Sequence, residues 1–185
     1  MSQTFDNLIN SNSGKDMLNV IENLLESNIL NISKYLQNSN ILGIKESSPK
    51  HYNSLVLFST GDFMQYKNNQ SSYITLSNKM LWKLKMITFI KIASRTKLFN
   101  IDSLQELLDI KSELEMNKLF YDISSEKWAK IKVNIQNNSV KILEVKPRDN
   151  VDDLDEVLLK LNKWLGKIEN VEIFLKNEST NLSSL

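Results

Sequence analysis

Two hydrophobic periodicities follow each other in residues 101–145, which read IDSLQELLDIKSELEMNKLFYDISSEKWAKIKVNIQNNSVKILEV. The first is helical, with apolar residues three and four positions apart in two short groups. A junction near Ile110-Lys111 separates the groups, and Ser112 and Glu115 have the spacing of a capping box. The pattern therefore predicts a helix-turn-helix. Its apolar positions are Leu104, Leu107 and Leu108, followed by Met116, Leu119, Phe120 and Ile123.

The second periodicity is two, which indicates half-buried strands. Ile131, Val133 and Ile135 alternate with polar residues, and Asn137-Asn138 suits a tight turn because Asn tolerates positive φ. A second strand follows, in which the alternation shifts phase after Ile142 and predicts a bulge. A helix-turn-helix followed by a β-hairpin is the layout of a winged helix, so we expect a central helix and a winged helix in residues 76–148.

N-terminal to this region, the pattern is helical throughout. Ser77 is a plausible N-cap for a long central helix over roughly 78–97, whose apolar residues cover most of its circumference. Residues 15–75 predict a helical-repeat part of short helical hairpins, with Gly61 ending one helix. Residues 1–14 are polar, and we expect them to be loose.

Residues 150–176 predict a C-terminal helix with a heptad seam, followed by a frayed tail over 177–185. The seam could pack back onto the chain's own helices, but its length and Trp164 favour an intermolecular bundle. The residues assigned to partner binding are Val157, Leu161, Trp164, Ile168, Val171 and Leu175.

Composition excludes several classes of protein. The chain has 185 residues, 41% of them hydrophobic and 24% charged, with a net charge of +1. No large uniform field therefore attracts it to nucleic acid or to an anionic membrane. There is no cysteine, which rules out disulfides, thiolate nucleophiles and cysteine-based zinc sites. The N-terminus does not read as a signal peptide and no stretch has the length of a membrane span, so we expect a soluble intracellular protein.

Catalytic chemistry has little support. A zinc metalloprotease site needs two histidines and an Asp, with a Glu as general base, and this chain has only His51. We interpret His51 as a solvated surface residue, although one histidine leaves a Ser-His-Asp arrangement possible on paper. Asp152, Asp153 and Asp155 fit a helix's first turn better than a cation site. We therefore expect no catalytic, cofactor-binding or metal-binding residue, and no tightly held zinc.

Four motifs occur in order within roughly residues 51–165. They are Phe58-Ser59-Thr60-Gly61-Asp62-Phe63; Leu76-Ser77-Asn78-Lys79-Met80 with Lys83-Leu84-Lys85-Met86-Ile87-Thr88 and Ile92-Ala93-Ser94; Leu108-Asp109-Ile110 with Glu113-Leu114-Glu115; and Leu158, Leu161 and Trp164. Together they resemble the subunit-seven family of the COP9 signalosome, whose members carry a PCI domain, and the central-helix motif is the most specific. Where the family usually has Gly-Lys-Leu-Asp-Gln before the hairpin, this chain has Lys127-Trp128-Ala129-Lys130-Ile131, which is a departure.

The resemblance implies a mostly α fold with a small β part: helical hairpins, a winged helix with a β-hairpin, then a C-terminal helix. It also implies a non-catalytic scaffold subunit, in the cytoplasm and nucleus, of the complex that removes NEDD8 from cullins. Such subunits associate through winged-helix edges and bundle their C-terminal helices. The predicted partner-binding edge is the second hairpin strand, at Val140 and Ile142.

Two alternatives remain. A PCI subunit of the proteasome lid or of translation initiation factor three shares the architecture. A winged helix can also bind nucleic acid, but the second helix of the helix-turn-helix and its flanks argue against this, because acidic residues outnumber basic ones there. The acidic residues are Glu113, Glu115, Asp122 and Glu126, against Lys111, Lys118 and Lys127; the hairpin is more basic, with Lys130, Lys132, Lys141, Lys146 and Arg148.

Overall fold

A computed structural model describes residues 2–148, together with helical positions 162, 164–166 and 168. The chain divides into two compact units, residues 1–149 and 150–185. The first unit is mostly helical with a small three-stranded antiparallel sheet, which confirms the predicted class. No helix among the described residues is both long and apolar enough to cross a membrane.

Ten α-helices and three strands form the described part of the first unit, with a 3-10 turn at Gln70–Ser72. The helices are α1 (Ser2–Ser11), α2 (Gly14–Glu26), α3 (Ser33–Leu36), α4 (Ser39–Leu42), α5 (Ile44–Ser47), α6 (Pro49–Ser59), α7 (Phe63–Asn68), α8 (Asn78–Ala93), α9 (Ile101–Leu108) and α10 (Glu113–Ser125); the strands are β1 (Leu98–Asn100), β2 (Ala129–Asn134) and β3 (Ser139–Val145).

The N-terminus is helical, so the prediction that residues 1–14 are loose is wrong. Helix α1 buries Ile9 in the core, and the amide of Asn40 at α4 donates to the Ile9 carbonyl at 2.9 Å. An ion pair between Lys34 and Asp6, 2.9 Å long, attaches the same helix to α3. A ten-residue helix is marginal alone, and these tertiary contacts stabilise it.

Helix α8 lies at the centre of the core. Nine of its sixteen residues are buried, so it is covered on most sides, as the sequence predicts. The Ser77 hydroxyl accepts a hydrogen bond from the Met80 amide at 3.2 Å, which confirms the predicted N-cap. The helix ends at Ala93 rather than near residue 97, because the chain then extends into β1, a strand too short to show a period.

Helices α9 and α10 confirm the predicted helix-turn-helix. The Asn100 side chain caps α9, and α9 ends where Asp109 takes a left-handed conformation with φ of 51°. Ser112 caps α10 by accepting from the Glu115 amide at 3.1 Å. The Glu115 half of the predicted capping box is not formed, and a complete box instead joins Asp62 and Gln65 at the start of α7.

The sheet has the order β1-β3-β2, with both pairs antiparallel. Lys130 pairs with Glu144 and Ile131 with Ile142, so Leu143 is the extra residue of the predicted bulge. Asn138 in the hairpin turn has a φ of 44°, as its residue type suggests. The sheet's inner face carries Val140 and Ile142, which pack into the core.

Candidate partner-binding surfaces

Strand β3 is not an open edge, so the prediction that Val140 and Ile142 form one is wrong. β1 pairs with one side of β3 and β2 with the other. Both side chains are core residues, with exposures of 0% and 2%. The Ile142 amide also donates to the Lys97 carbonyl at 2.8 Å. A hairpin alone has one free edge on each of its two strands, and the sequence pattern does not predict that β1 covers the edge of β3.

The sheet has two edge strands, β1 and β2, and β2 is the longer of the two. The bond from Ile142 to Lys97 makes Val140 and Phe99 a hydrogen-bonded pair, because bonded and non-bonded pairs alternate along an antiparallel ladder. The Val140 amide therefore donates towards β1. It follows that Val133, opposite Val140 in β2, directs its own N–H and C=O away from β3. These backbone groups are available for a strand of another protein.

The C-terminal seam is only partly visible. Trp164 and Ile168 lie in helical positions and are 62% and 43% exposed, which is unusual for side chains this apolar. Val157, Leu161, Val171 and Leu175 lie outside the described residues, as do Asp152, Asp153 and Asp155. The role of the seam in partner binding stays a prediction.

The basic surface of the hairpin is smaller than the sequence suggests. Arg148 is buried, and its guanidinium donates to the carbonyls of Gly61 at 2.7 Å, Phe58 at 3.0 Å and Leu57 at 3.3 Å. Its charge therefore stabilises the C-terminal end of α6, where the helix leaves carbonyls without partners. Lys132 and Lys141, paired across the ladder, remain exposed on the outer face of the sheet.

The segment around Gly61 joins three parts of the first unit. The Gly61 carbonyl accepts a hydrogen bond from Arg148. The adjacent Asp62 caps α7 and forms a 3.0 Å ion pair with Lys91 of α8. Burial raises the pKa of Asp62, but the bond from the Gln65 amide and the charge of Lys91 outweigh it, so the pKa is lowered. The motif that resembles the family thus has a structural role.

A lysine lies in the core beside the same segment. Lys83 of α8 is 4% exposed, and its ammonium donates to the Leu24 carbonyl at 3.1 Å and lies 5.7 Å from the centre of the Phe58 ring. Burial, with a smaller contribution from Lys79, lowers the pKa of Lys83 to about 7. Sequence reasoning recognised Lys83 only as part of a motif. An apolar residue at nearly every neighbouring position was the available signal of its burial.

His51 is more enclosed than predicted. Its side chain is 16% exposed, and its two ring nitrogens lie 2.8 Å from the Ser48 hydroxyl and 3.2 Å from a Glu22 carboxylate oxygen. Ser48 is the residue that precedes α6, so the trio connects α2 to the start of α6. Its connectivity resembles a catalytic triad, and its evident effect here is to hold two helices together.

Metal binding has no support in the described part of the chain, where no three histidine or acidic side chains lie close enough together to hold an ion.

Arg148 is the residue that sequence reasoning misplaced most clearly. A lone arginine at the end of a strand carries no pattern that would distinguish a buried cap from a surface cation.

Comparison with known proteins supports the resemblance. No protein-family profile matches the chain. The chain is 29% identical over 160 residues to COP9 signalosome complex subunit 7 of Dictyostelium discoideum. The alignment covers 85% of this chain and 62% of that relative, so the chain spans less than two-thirds of the relative's length. The resemblance predicted from the motifs is confirmed: this chain is similar to COP9 signalosome complex subunit 7.

Proposed function

We propose that the chain is a non-catalytic scaffold subunit of a COP9 signalosome, the complex that removes NEDD8 from cullins. The observation that carries the proposal is the similarity to subunit 7 along 85% of the chain. A scaffold has to bind several neighbours and needs no reactive group. The free backbone groups of β2 supply one surface suited to that role.

We further propose that residues 76–148 act as the central helix and winged helix of a PCI domain. The order β1, α9, α10, β2, β3 supports this reading. In this proposal, β2 rather than β3 pairs with a neighbouring subunit, because β3 is paired on both sides and β2 is the longer of the two edge strands. The C-terminal helix joins a bundle with other subunits, and the protein is present in the cytoplasm and nucleus.

The similarity to subunit 7 favours the signalosome over the proteasome lid and translation initiation factor three. Two observations argue against the alternative that the chain binds nucleic acid. Arg148 is occupied by main-chain carbonyls and does not add to the basic surface. On α10, the exposed Glu113 and Glu115 repel phosphate.

The direct test is affinity purification of the tagged full chain from its native cells, followed by mass spectrometry. We expect the other signalosome subunits, including its metalloprotease, to co-elute. Co-elution of lid or initiation-factor subunits would refute the assignment. The purified chain alone should remove no NEDD8 from cullins.

The β2 edge is tested with Val133→Pro, which removes an N–H that points away from β3 and so leaves the internal ladder intact. Val133→Thr is the matched control because it keeps the N–H and the branched shape. We expect co-elution with partner subunits to weaken for the proline variant only. Equal co-elution of both variants would show that the edge is unused.

A further inference from the structure

A groove lies between the start of α10 and the end of β2. Its volume is about 370 Å³, and the residues that matter below are Asp102, Glu113, Met116, Asn117, Val133 and Ile135. Helices α9 and α10 form one wall, and the hairpin forms the other. The groove opens on the face of the helix-turn-helix and hairpin, away from Lys132 and Lys141.

The hairpin wall is apolar and exposed. Val133 is 37% exposed, and Ile135 is 82% exposed, the highest value among the large hydrophobic side chains that the structure describes. Val133 shares the inner face of the sheet with Val140, and Ile135 continues this direction past the end of β2. An isoleucine left in water at the rim of a groove indicates a site that another apolar side chain covers.

The helical wall carries negative charge. Asp102 is held in place by the Asn138 amide, which donates to its carboxylate at 2.7 Å. The Glu113 carboxylate makes no ion pair or hydrogen bond within the described part of the chain, and no lysine or arginine described there lines the groove. Two carboxylates without a neighbouring cation favour a positively charged partner.

We propose that this groove binds a basic amphipathic helix of a partner protein. The partner's apolar residues would cover Ile135 and Val133, and its lysine or arginine side chains would pair with Glu113 and Asp102. Helices commonly bind protein grooves in this way, with apolar anchors at helical spacing. The proposal concerns the side chains of Val133 and Ile135 rather than the free backbone groups of β2, and it does not depend on membership of the signalosome.

The same observations disfavour a nucleic acid at this position. In a helix-turn-helix that reads DNA, the second helix lies in the major groove between the phosphate backbones, where binding requires cations. Here the face presents carboxylates and an isoleucine instead. The exposed Leu114 and Tyr121, seven residues apart, lie on one face of α10 and carry no positive charge either.

The probe for the test is a fluorescein-labelled synthetic helix of leucine and lysine, compared with a peptide of the same leucine pattern in which glutamate replaces lysine. Fluorescence anisotropy with the full chain measures binding. We expect the lysine peptide to bind and the glutamate peptide not to bind. Raising salt from about 0.05 M to about 0.5 M should weaken the complex, because exposed charge pairs are screened.

Two variants locate the binding site. Ile135→Ser should weaken binding of the lysine peptide about tenfold or more, since the variant loses the apolar surface that the peptide would cover. Glu113→Gln should weaken it by up to about fivefold, as for an exposed charge pair. The matched control is Leu98→Ser, which removes an exposed aliphatic side chain from the opposite face of the sheet. Peptide binding by this variant should equal that of the unmodified chain.

Four results would overturn the proposal. The first is failure of the lysine peptide to bind, and the second is equal binding of the two peptides. The third is binding that Ile135→Ser leaves unchanged while circular dichroism shows the variant folded. The fourth is loss of binding in Val133→Pro but not in Ile135→Ser, which would place the peptide on the β2 edge instead of in the groove.

Discussion

The charged form of Lys83 is destabilised by its burial in the core. Its hydrogen bond to the Leu24 carbonyl does not offset the loss of hydration. Replacement by methionine, which has a similar volume, should raise the free energy of unfolding by about 1–4 kcal/mol at pH 6, the range found when buried charges are replaced by apolar groups. The Leu24 carbonyl would keep its bonds from the Ser27 amide and hydroxyl. No acceptor is therefore left unpaired.

The gain should depend on pH. The pKa of Lys83 is about 7 in the folded chain and near 10.5 when unfolded. Between these values the unfolded chain binds more protons, so the stability of the unmodified protein rises with pH. The advantage of Lys83→Met is then largest below pH 7 and disappears near pH 10.5. Urea unfolding at several pH values measures this, with Lys15→Met, an exposed helical site, as the control. A pH-independent difference would contradict it.

Gly61 is required for space rather than for an unusual backbone angle. A Cβ at this position would lie 2.6 Å from the Gln65 side chain, 2.7 Å from a Leu57 methyl and 2.8 Å from the Leu57 carbonyl. Gly61→Ala should therefore cost about 1–3 kcal/mol, the usual range for overpacking. Thermal unfolding should show a lower midpoint.

Gly43→Ala is the matched control, because its Cβ would meet only carbonyl oxygens at 3.6 Å, an ordinary contact. Its midpoint should stay unchanged or rise slightly, since alanine restricts the unfolded chain. An equal fall for both variants would mean that the crowding at Gly61 does not determine the result.

Among the elements, those with long periodic patterns were predictable and those stabilised by distant partners were not. Helix α8 follows from apolar residues around its whole circumference, and the hairpin with its bulge follows from the phase of alternation. Strand β1 has three residues and exists only because β3 pairs with it. Because the sequence does not predict β1, Val140 and Ile142 were expected at an edge of the sheet. The alternation of apolar and polar residues does indicate that both side chains face the core.

The central position of β3 can be tested with Val140→Pro. The change removes the amide that donates to Phe99 and leaves that carbonyl unpaired in the sheet, which costs about 1–3 kcal/mol in addition to any steric strain. Thermal unfolding should show a clearly lower midpoint than for Val133→Pro, whose amide faces outward. If both proline variants unfold at the same midpoint as the unmodified chain, β3 does not occupy the middle of the sheet in solution.

At the scale of the whole molecule, the two compact units predict separable roles. The first unit contains the core around α8, the sheet, and Arg148, whose guanidinium closes α6. Deleting residues after 149 should therefore leave a folded protein with nearly unchanged thermal stability. The second unit carries Trp164, Leu165 and Ile168, all substantially exposed, so its deletion should remove apolar surface that partners would otherwise cover.

The truncated chain should consequently fold but fail to enter the complex. A milder variant, with glutamate in place of both Leu161 and Trp164, should have the same effect because it places two charges in the heptad seam. Its matched control is Asn162→Glu, at an exposed helical position outside the seam. Size-exclusion co-elution with the other subunits gives the result, and circular dichroism of each variant alone shows whether it is folded. Loss of helix content in the double variant, without loss of partners, would instead mean that the seam packs within the chain. In that case the β2 edge would have to account for assembly.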